Sequence, residues 1–267
     1  MKTLKNTTVT IIGTGNLGLA IVNGLIQAGF LAENKVIATK RKTDSILYLE
    51  QSGINVGTDN LAAVQASDII ILCVQPGQLP GIAEELSGHL GGKKVISTVT
   101  GANLVKLHAL FGDDTQIIRA MPNTALAVQQ SMTCLSSNGA NGTLTEAEEI
   151  FGVLGKTIQI DDELMQAATV LGASGIAFWL RLIRATTQGG IQLGFDAPEA
   201  QKIAVQACLG ASSLLAAGLA HPEAEIDKVT TPQGCTITGL NEMEHMGLSS
   251  AVIKGLVASF NKINELK

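Results

Sequence analysis

Aromatic and charged side chains are both scarce in this chain of 267 residues. Aromatics make up 3% and charged residues 15%, against 46% hydrophobic residues and 29 glycines. Whatever core the chain buries must come from aliphatic and small residues, a composition that suits closely packed helices and excludes a disordered chain. Cysteine is equally sparse: Cys73, Cys134, Cys208 and Cys235 form no CxxC pair and no Cys/His cluster. That excludes a zinc site and a disulfide framework, and no metal is expected. No long hydrophobic run interrupts the middle of the chain: residues 69–74 are apolar but far too few to cross a bilayer, and read as a buried parallel strand. Residues 1–8 lack the apolar region of a signal peptide, so a cytoplasmic protein is expected. A net charge of −5 argues against a nucleic-acid or acidic-membrane partner, while a local basic cluster could still hold a phosphate. His89, His108, His221 and His245 are scattered and read as surface or loop residues.

What the chain does have begins near its N-terminus. A β-branched run at 9–12 leads directly into Gly13, Gly15 and Gly18, and Leu17, Ile21, Leu25 and Ala28 then recur at helical spacing. This is a strand, a tight turn and a helix start. Gly13 permits the turn, Gly15 admits a pyrophosphate to the backbone, and Gly18 lets helix and strand pack. The N–H groups of the first helical turn face the phosphates, so Thr14, Asn16 and Leu17 join the glycines as candidate cofactor contacts. A second strand at 35–38 ends in Thr39, Lys40, Arg41 and Lys42. An NAD site usually places an acid at this strand end for the ribose 2′-hydroxyl; here basic residues stand in its place, which points to a 2′-phosphate and hence to NADP(H).

Further strands are predicted near 54–56, 68–74, 94–98 and 116–119, separated by helices at 45–52, 61–66, 79–90 and 103–110. Alternation of this kind implies a parallel sheet whose ligands bind beyond the carboxyl ends of its strands. Those ends carry Gly13–Gly18, Thr39–Lys42, Cys73 to Pro76, Val99–Gly101 and Met121 to Asn123, five loops that should converge on one crevice. One more strand at 128–135, a helix opening on a capping box at Thr145 and Glu148, and a strand at 157–160 complete the first domain. From 161 onward strand signals stop, and helices are predicted over 163–170, 175–190, 198–217, 234–245 and 249–264. The expected organisation is an α/β Rossmann-type dinucleotide-binding domain at 1–161 followed by an all-helical dimerisation and substrate-binding domain at 162–267. The 198–217 helix is apolar on nearly all sides, through Ile203, Ala207, Leu214 and Leu215 on one face and Val205, Leu209 and Ala216 on the other. In a domain this small such a helix calls for burial against a second subunit.

One loop in the helical half has chemical character. Thr231 is placed as an N-cap with Pro232 behind it, so that Gln233, Gly234, Cys235 and Thr236 present first-turn N–H groups to a small carboxylate. Small residues at 172–175, including Ser174 and Gly175, mark a helix start approached closely by backbone.

Taken in order, the glycine loop, Cys73-Val-Gln-Pro76, Arg119-Ala-Met-Pro-Asn-Thr124, the Gly172–Gly175 element and Thr230-Thr-Pro-Gln-Gly-Cys-Thr-Ile237 resemble the pyrroline-5-carboxylate reductase family over essentially the whole chain. The resemblance implies an NADP-binding Rossmann domain, a helical dimerisation domain and reduction of a cyclic imine carboxylate to proline. It implies that Asn60, Val74, Gln75, Pro76, Met121 and Asn123 line the cofactor groove. It further implies that Thr231, Gly234 and Cys235, with Ser174 and Gly175, serve the substrate, and that the Thr236 hydroxyl sits by the ring nitrogen as the catalytic group. No His or Lys falls in the substrate loop, in keeping with a protonated imine that needs positioning more than a strong acid. The sequence departs from the family at Gln75, where Lys is usual, Ala125 (Pro), Ile176 and Phe178 (Pro and Tyr), and Gln233 (Gly). These changes keep two alternatives open: a related imine or carbonyl reductase with altered substrate, and an NADP-binding paralogue without activity. A β-hydroxyacid dehydrogenase is disfavoured, because no Lys lies between Lys156 and Lys202 to serve as its mid-helix catalytic base. A homodimer is expected, with assembly beyond the dimer left open.

Overall fold

The computed structural model of the chain describes residues 4–139, 144–218 and 221–265. It divides into two compact units, Met1–Ser174 with Phe260–Lys267, and Gly175–Ser259. The first unit is organised on one eight-stranded sheet. Its strands are β1 (Thr8–Ile12), β2 (Lys35–Thr39), β3 (Asn55–Gly57), β4 (Ile69–Leu72), β5 (Lys94–Ser97), β6 (Gln116–Met121), β7 (Ser131–Ser137) and β8 (Gly155–Gln159). The strand order is β3-β2-β1-β4-β5-β6-β7-β8. The first six pair in parallel and follow the doubly wound order, whose direction of winding reverses between β1 and β4.

Successive strand residues serve opposite faces, and here both faces are dry. Ile11, Ile71, Ile96 and Ile118 pack with Ile21, Val22 and Leu25 of α1 (Asn16–Gln27) and with Ile150 and Phe151 of α5 (Thr145–Gly152). Their neighbours Ile12, Ile70, Leu72, Val95 and Ile117 face the other way, onto Val64 of α2 (Asn60–Gln65), Leu79 of α3 (Leu79–Glu85) and Leu107 of α4 (Leu104–Phe111). Each fully buried aliphatic side chain contributes roughly 1.5–3 kcal/mol. That explains why β4 reads as an unbroken apolar run rather than an alternating one.

β7 is the exception to parallel pairing. It runs antiparallel to β6, because only a short 3₁₀ turn over Thr124–Val128 joins the two, too little chain for a crossover. β8 then pairs parallel to β7. Residues 47–52 form a 3₁₀ turn instead of a longer helix, and α3 stops at Glu85, five residues short of its predicted end. Thr145, expected as the N-cap of α5, is its first helical residue; Leu144 is the N-cap.

The helical segment opens with α6 (Met165–Ala168) and passes through a π-helical turn, Thr169–Ser174, into α7 (Gly175–Gln192). Gly172–Gly175 is therefore not a helix start, as its small residues suggested, but a widened turn inside a continuing helix. α8 (Ala197–Ala217), α9 (Pro222–Val229), α10 (Cys235–His245) and α11 (Leu248–Glu265) follow, α9 being a helix the apolar periodicity did not reveal. α7 and α8 pack against each other. Of α8 only Ala200 and Ala204 are buried, while Ile203, Leu209 and Leu214 are exposed, as are Trp179 and Leu180 of α7. Apolar exposure on this scale marks an interaction surface. Among the described residues one helical run, Asp162–Gln192, is also long and apolar enough to cross a membrane by length and composition.

Candidate active site

The carboxyl ends of β1, β2 and β4 enclose a groove of about 670 Å³ at the point where the sheet reverses its winding. Its wall contains Gly13, Thr14, Gly15, Thr39, Lys40, Arg41, Asn60, Cys73, Val74 and Gln75, all anticipated from sequence. Ile12, Lys42, Thr58, Gln78 and Ile82 complete it. Lys42 belongs to the basic run read from the sequence; Gln78, the N-cap of α3, and Ile82 on α3 itself carry no sequence signal of a groove.

Gly13 and Gly15 are glycines for different reasons. Gly13 has φ +94°, and a Cβ there would stand 2.7 Å from the Cys73 carbonyl oxygen. Gly15 has ordinary dihedrals, with no protein atom within 4 Å of where its Cβ would be. What a side chain at Gly15 would fill is the groove itself. Gly15 is the N-cap of α1, so the N–H groups of Asn16, Leu17 and Gly18 open the helix, and its first turn holds no acidic residue to neutralise its positive end. Gly18 itself serves packing, its Cα facing the Gly13 carbonyl so closely that a Cβ would meet that oxygen at 2.5 Å. Asn16, Leu17, Gly18 and Pro76 do not line the groove, nor do Met121 and Asn123 at the end of β6.

The ribose end of the groove is cationic. Lys40 Nζ donates to Ser45 Oγ at 2.8 Å, and Arg41 and Lys42 are exposed. None of the three pairs with a carboxylate among the described residues. An open cradle at Gly15, free helix-end N–H groups and three cations beside β2 fit a dinucleotide carrying an extra phosphate. Cys73 lies in the same wall with an inert thiol: burial pushes its pKa up to about 12, with a bond from the Thr98 hydroxyl at 3.5 Å pulling slightly the other way.

At the end of β6 the side chains are engaged with the protein. Met121 is buried. Asn123 Oδ1 accepts the Ala125 N–H at 3.0 Å, and Nδ2 donates to the Gly172 carbonyl in the π turn at 3.2 Å. Two residues upstream of Met121, buried Arg119 donates to Asp162 Oδ1 at 2.6 Å, and Asp162 Oδ2 accepts the Leu104 N–H that opens α4.

In the second unit, the loop before α10 departs from its predicted form. Thr231 is not the N-cap; Gly234 is. The Gly234 N–H bonds back to the Thr231 carbonyl at 2.9 Å, closing a turn in which Gln233 takes the left-handed backbone, φ +59°. Proline at 232 therefore sits in a turn rather than in the first helical turn. The helix-opening N–H groups belong to Cys235, Thr236 and Ile237, and Thr238 returns its N–H to the Gly234 carbonyl. Cys235 is exposed and Thr236 half-buried.

The comparisons agree with this geometry. Residues 162–266 match the sequence model described as pyrroline-5-carboxylate reductase dimerisation, and residues 8–101 match NADP oxidoreductase coenzyme F420-dependent. Pyrroline-5-carboxylate reductase 2 of Dictyostelium discoideum is 39% identical over 276 residues, spanning 96% of this chain and 92% of that protein. The chain belongs to the pyrroline-5-carboxylate reductase family. Pyrroline-5-carboxylate reductase 1 of the same organism is 43% identical over 272 residues, 97% of this chain; the chain spans only about half, 49%, of that longer relative. Among solved structures, the pyrroline-5-carboxylate reductase of Coxiella burnetii superposes with a TM-score of 0.88 at 28% identity, over 98% of this chain and 99% of that one.

Proposed function

We propose that this protein reduces 1-pyrroline-5-carboxylate to L-proline with NADPH as the reductant. The observation that carries the reading is the groove's cationic, acid-free ribose end in a chain whose family is that of the reductases. When bound, NADPH supplies the hydride that reduces the C=N bond. The chain's own residues bind and orient. Gly15 and the first-turn N–H groups of α1 take the pyrophosphate, and Lys40, Arg41 and Lys42 take the 2′-phosphate. In the helical part, the N–H groups of Cys235, Thr236 and Ile237 hold the imine's carboxylate at the positive end of α10, with Thr231 and Gly234 in the same loop, and Gly175 is a further substrate contact. The Thr236 hydroxyl bonds the ring nitrogen and orients it; a hydroxyl is too weak an acid to do more. Residues 1–161 act as the cofactor domain and 162–267 as the dimerisation and substrate domain, a second copy covering the apolar faces of α7 and α8. A cytoplasmic homodimer completes the reading.

The test follows NADPH consumption by the purified protein with the five-membered imine acid, beside NADH and the six-membered homologue. Turnover confined to the five-membered ring supports the reading; NADPH binding without turnover on any imine would sink it. Thr236→Ala should lower turnover while leaving the NADP⁺ dissociation constant unchanged. Gln233 favours a second reading, a related imine acid as substrate, because a residue held in left-handed backbone at the carboxylate loop can reshape the pocket. Preference for the six-membered ring would select it.

A further inference from the structure

Asn60, the first residue of α2, joins three elements of the dinucleotide-binding unit through its side chain. Its Oδ1 accepts the Thr39 hydroxyl at 2.7 Å, from the end of β2, and its Nδ2 donates to Glu85 Oε2 at 3.0 Å, at the end of α3. Thr39 is buried, and its carbonyl accepts the N–H groups of Gly13 and Thr14 together with the Thr14 hydroxyl. The phosphate loop, the ribose end and α3 therefore share one hydrogen-bonded chain. Asn60 lines the groove with Lys40, Arg41 and Lys42, whereas Glu85 is not part of its wall.

A hydroxyl can donate or accept, so Thr39 alone would tolerate either orientation of the Asn60 carboxamide. An ionised carboxylate can only accept. Glu85 thus forces Nδ2 toward itself and Oδ1 toward Thr39, leaving the second Nδ2 hydrogen as the amide's one uncommitted donor. The geometry points to Glu85 as a positioning residue for the 2′-phosphorylated ribose: it locks the Asn60 amide with its N–H, and not its oxygen, available to the phosphate. This rests on NADP(H) being the cofactor. Hydrogen bonds to a charged acceptor are roughly twice as strong as neutral ones, so a flipped amide loses one such bond and turns an oxygen toward an anion.

The experiment titrates NADP⁺ and NAD⁺ calorimetrically into wild type, Glu85→Ala, Glu85→Gln, Asn60→Ala and the Asn60→Ala/Glu85→Ala double variant, with thermal unfolding of each free protein. Glu85→Ala weakens NADP⁺ by about three- to ten-fold, the worth of one oriented hydrogen bond, and NAD⁺ by less than about two-fold. Glu85→Gln, which keeps an acceptor oxygen for Nδ2, restores NADP⁺ affinity to within about two-fold of wild type. In the Asn60→Ala background, Glu85→Ala adds nothing. Unchanged NADP⁺ affinity in Glu85→Ala overturns the proposal. So does equal tightening in both Glu85 variants, which would show that charge rather than orientation matters, or an equal loss for both nucleotides with a lowered unfolding temperature. A wild-type protein that fails to bind NADP⁺ at all removes the cofactor reading itself, an outcome distinct from a silent Glu85.

Discussion

Gly15→Ala separates folding from binding. The substitution adds a methyl at the N-cap of α1, where φ is −85° and ψ −154°, and no protein atom lies within 4 Å of it. Backbone of this kind accepts a side chain, so neither strain nor overlap follows. Two small effects on stability then oppose each other. Reduced freedom of the unfolded chain stabilises by about 0.4–1 kcal/mol, while alanine is a poorer N-cap than glycine by something on the order of 0.5–1 kcal/mol. The net is within about 0.5 kcal/mol of zero, a Tm shift of roughly 2 °C or less for a chain of this length. Binding responds differently, because the methyl enters the space through which phosphate oxygens reach the first-turn N–H groups. Losing two such bonds at about 1.5–3 kcal/mol each lowers NADP⁺ affinity at least about 100-fold. Gly13→Ala is the contrasting control. Its φ of +94° and the 2.7 Å approach to the Cys73 carbonyl oxygen strain the fold itself, costing about 1–2 kcal/mol for the left-handed backbone before any overlap is counted. Differential scanning calorimetry and NADP⁺ titration read both variants. Full NADP⁺ affinity in Gly15→Ala would refute the groove as the phosphate site, and a large loss of Tm would refute the openness of the space around it.

Asp162→Ala removes the carboxylate from buried Arg119, leaving it only a 3.5 Å bond to the 162 carbonyl, and strands the Leu104 N–H. Breaking one side of a buried pair costs roughly 3–5 kcal/mol, here nearer 2–3 because the Asp162 side chain is 24% exposed and partly screened by water; a urea midpoint shift worth less than about 1 kcal/mol would contradict the pairing. Gln233→Gly relieves the left-handed backbone at φ +59° and, after the entropy glycine adds to the unfolded chain, should stabilise by about 0.5–1 kcal/mol; a lowered Tm would show that the loop is not strained. The Cys73 thiol, pushed up to about 12, stays neutral in the folded protein where an unfolded thiol ionises near 9. Native Cys73 therefore resists iodoacetamide at pH 8 while exposed Cys235 reacts. Because the folded state holds the proton more tightly, stability is full below pH 9 and falls as pH rises from there toward 12. Rapid native alkylation of Cys73, mapped by mass spectrometry, would contradict the raised thiol pKa.

The Rossmann half was legible because its signals are local. An apolar strand, a glycine turn and an amphipathic helix each declare themselves within a dozen residues, and β1, α1 and β4 stand where those patterns put them. The basic run after β2 reports its chemistry for the same reason: one strand end, one position, no distant partner needed. Boundaries were less legible where burial decides them. α3 ends at Glu85 although apolar residues continue to Leu90, since Leu86 and Leu90 are buried from the loop that follows rather than from a further helical turn. The direction of β7 depends on the shortness of the Thr124–Val128 connection, and a sequence shows such a link only after its ends are known.

The site's side-chain bonds obey no local pattern, and this is where sequence reasoning reaches its limit. Thr39 and Asn60 are 21 residues apart, Asn60 and Glu85 a further 25, and no motif spans either interval. Reading Asn60 as a groove residue was possible by resemblance; its bond to Glu85 was not. Asn123 makes the same point from the other side. A motif places it at the cofactor, yet its carboxamide is spent on the Ala125 N–H and the Gly172 carbonyl, 49 residues away. Those two bonds tie the end of β6 to the π turn. Thr231 shows the local rule itself being overridden. Threonine followed by proline is a helix-start signal, but once Gln233 adopts left-handed backbone the turn closes on Thr231 and the helix begins at Cys235. That shift takes Gln233 and Gly234 out of the set of helix-opening N–H groups, keeps Cys235 and Thr236, and adds Ile237. Thr236 thus carries a backbone donor as well as its hydroxyl, and truncating its side chain removes the hydroxyl while leaving that donor in place.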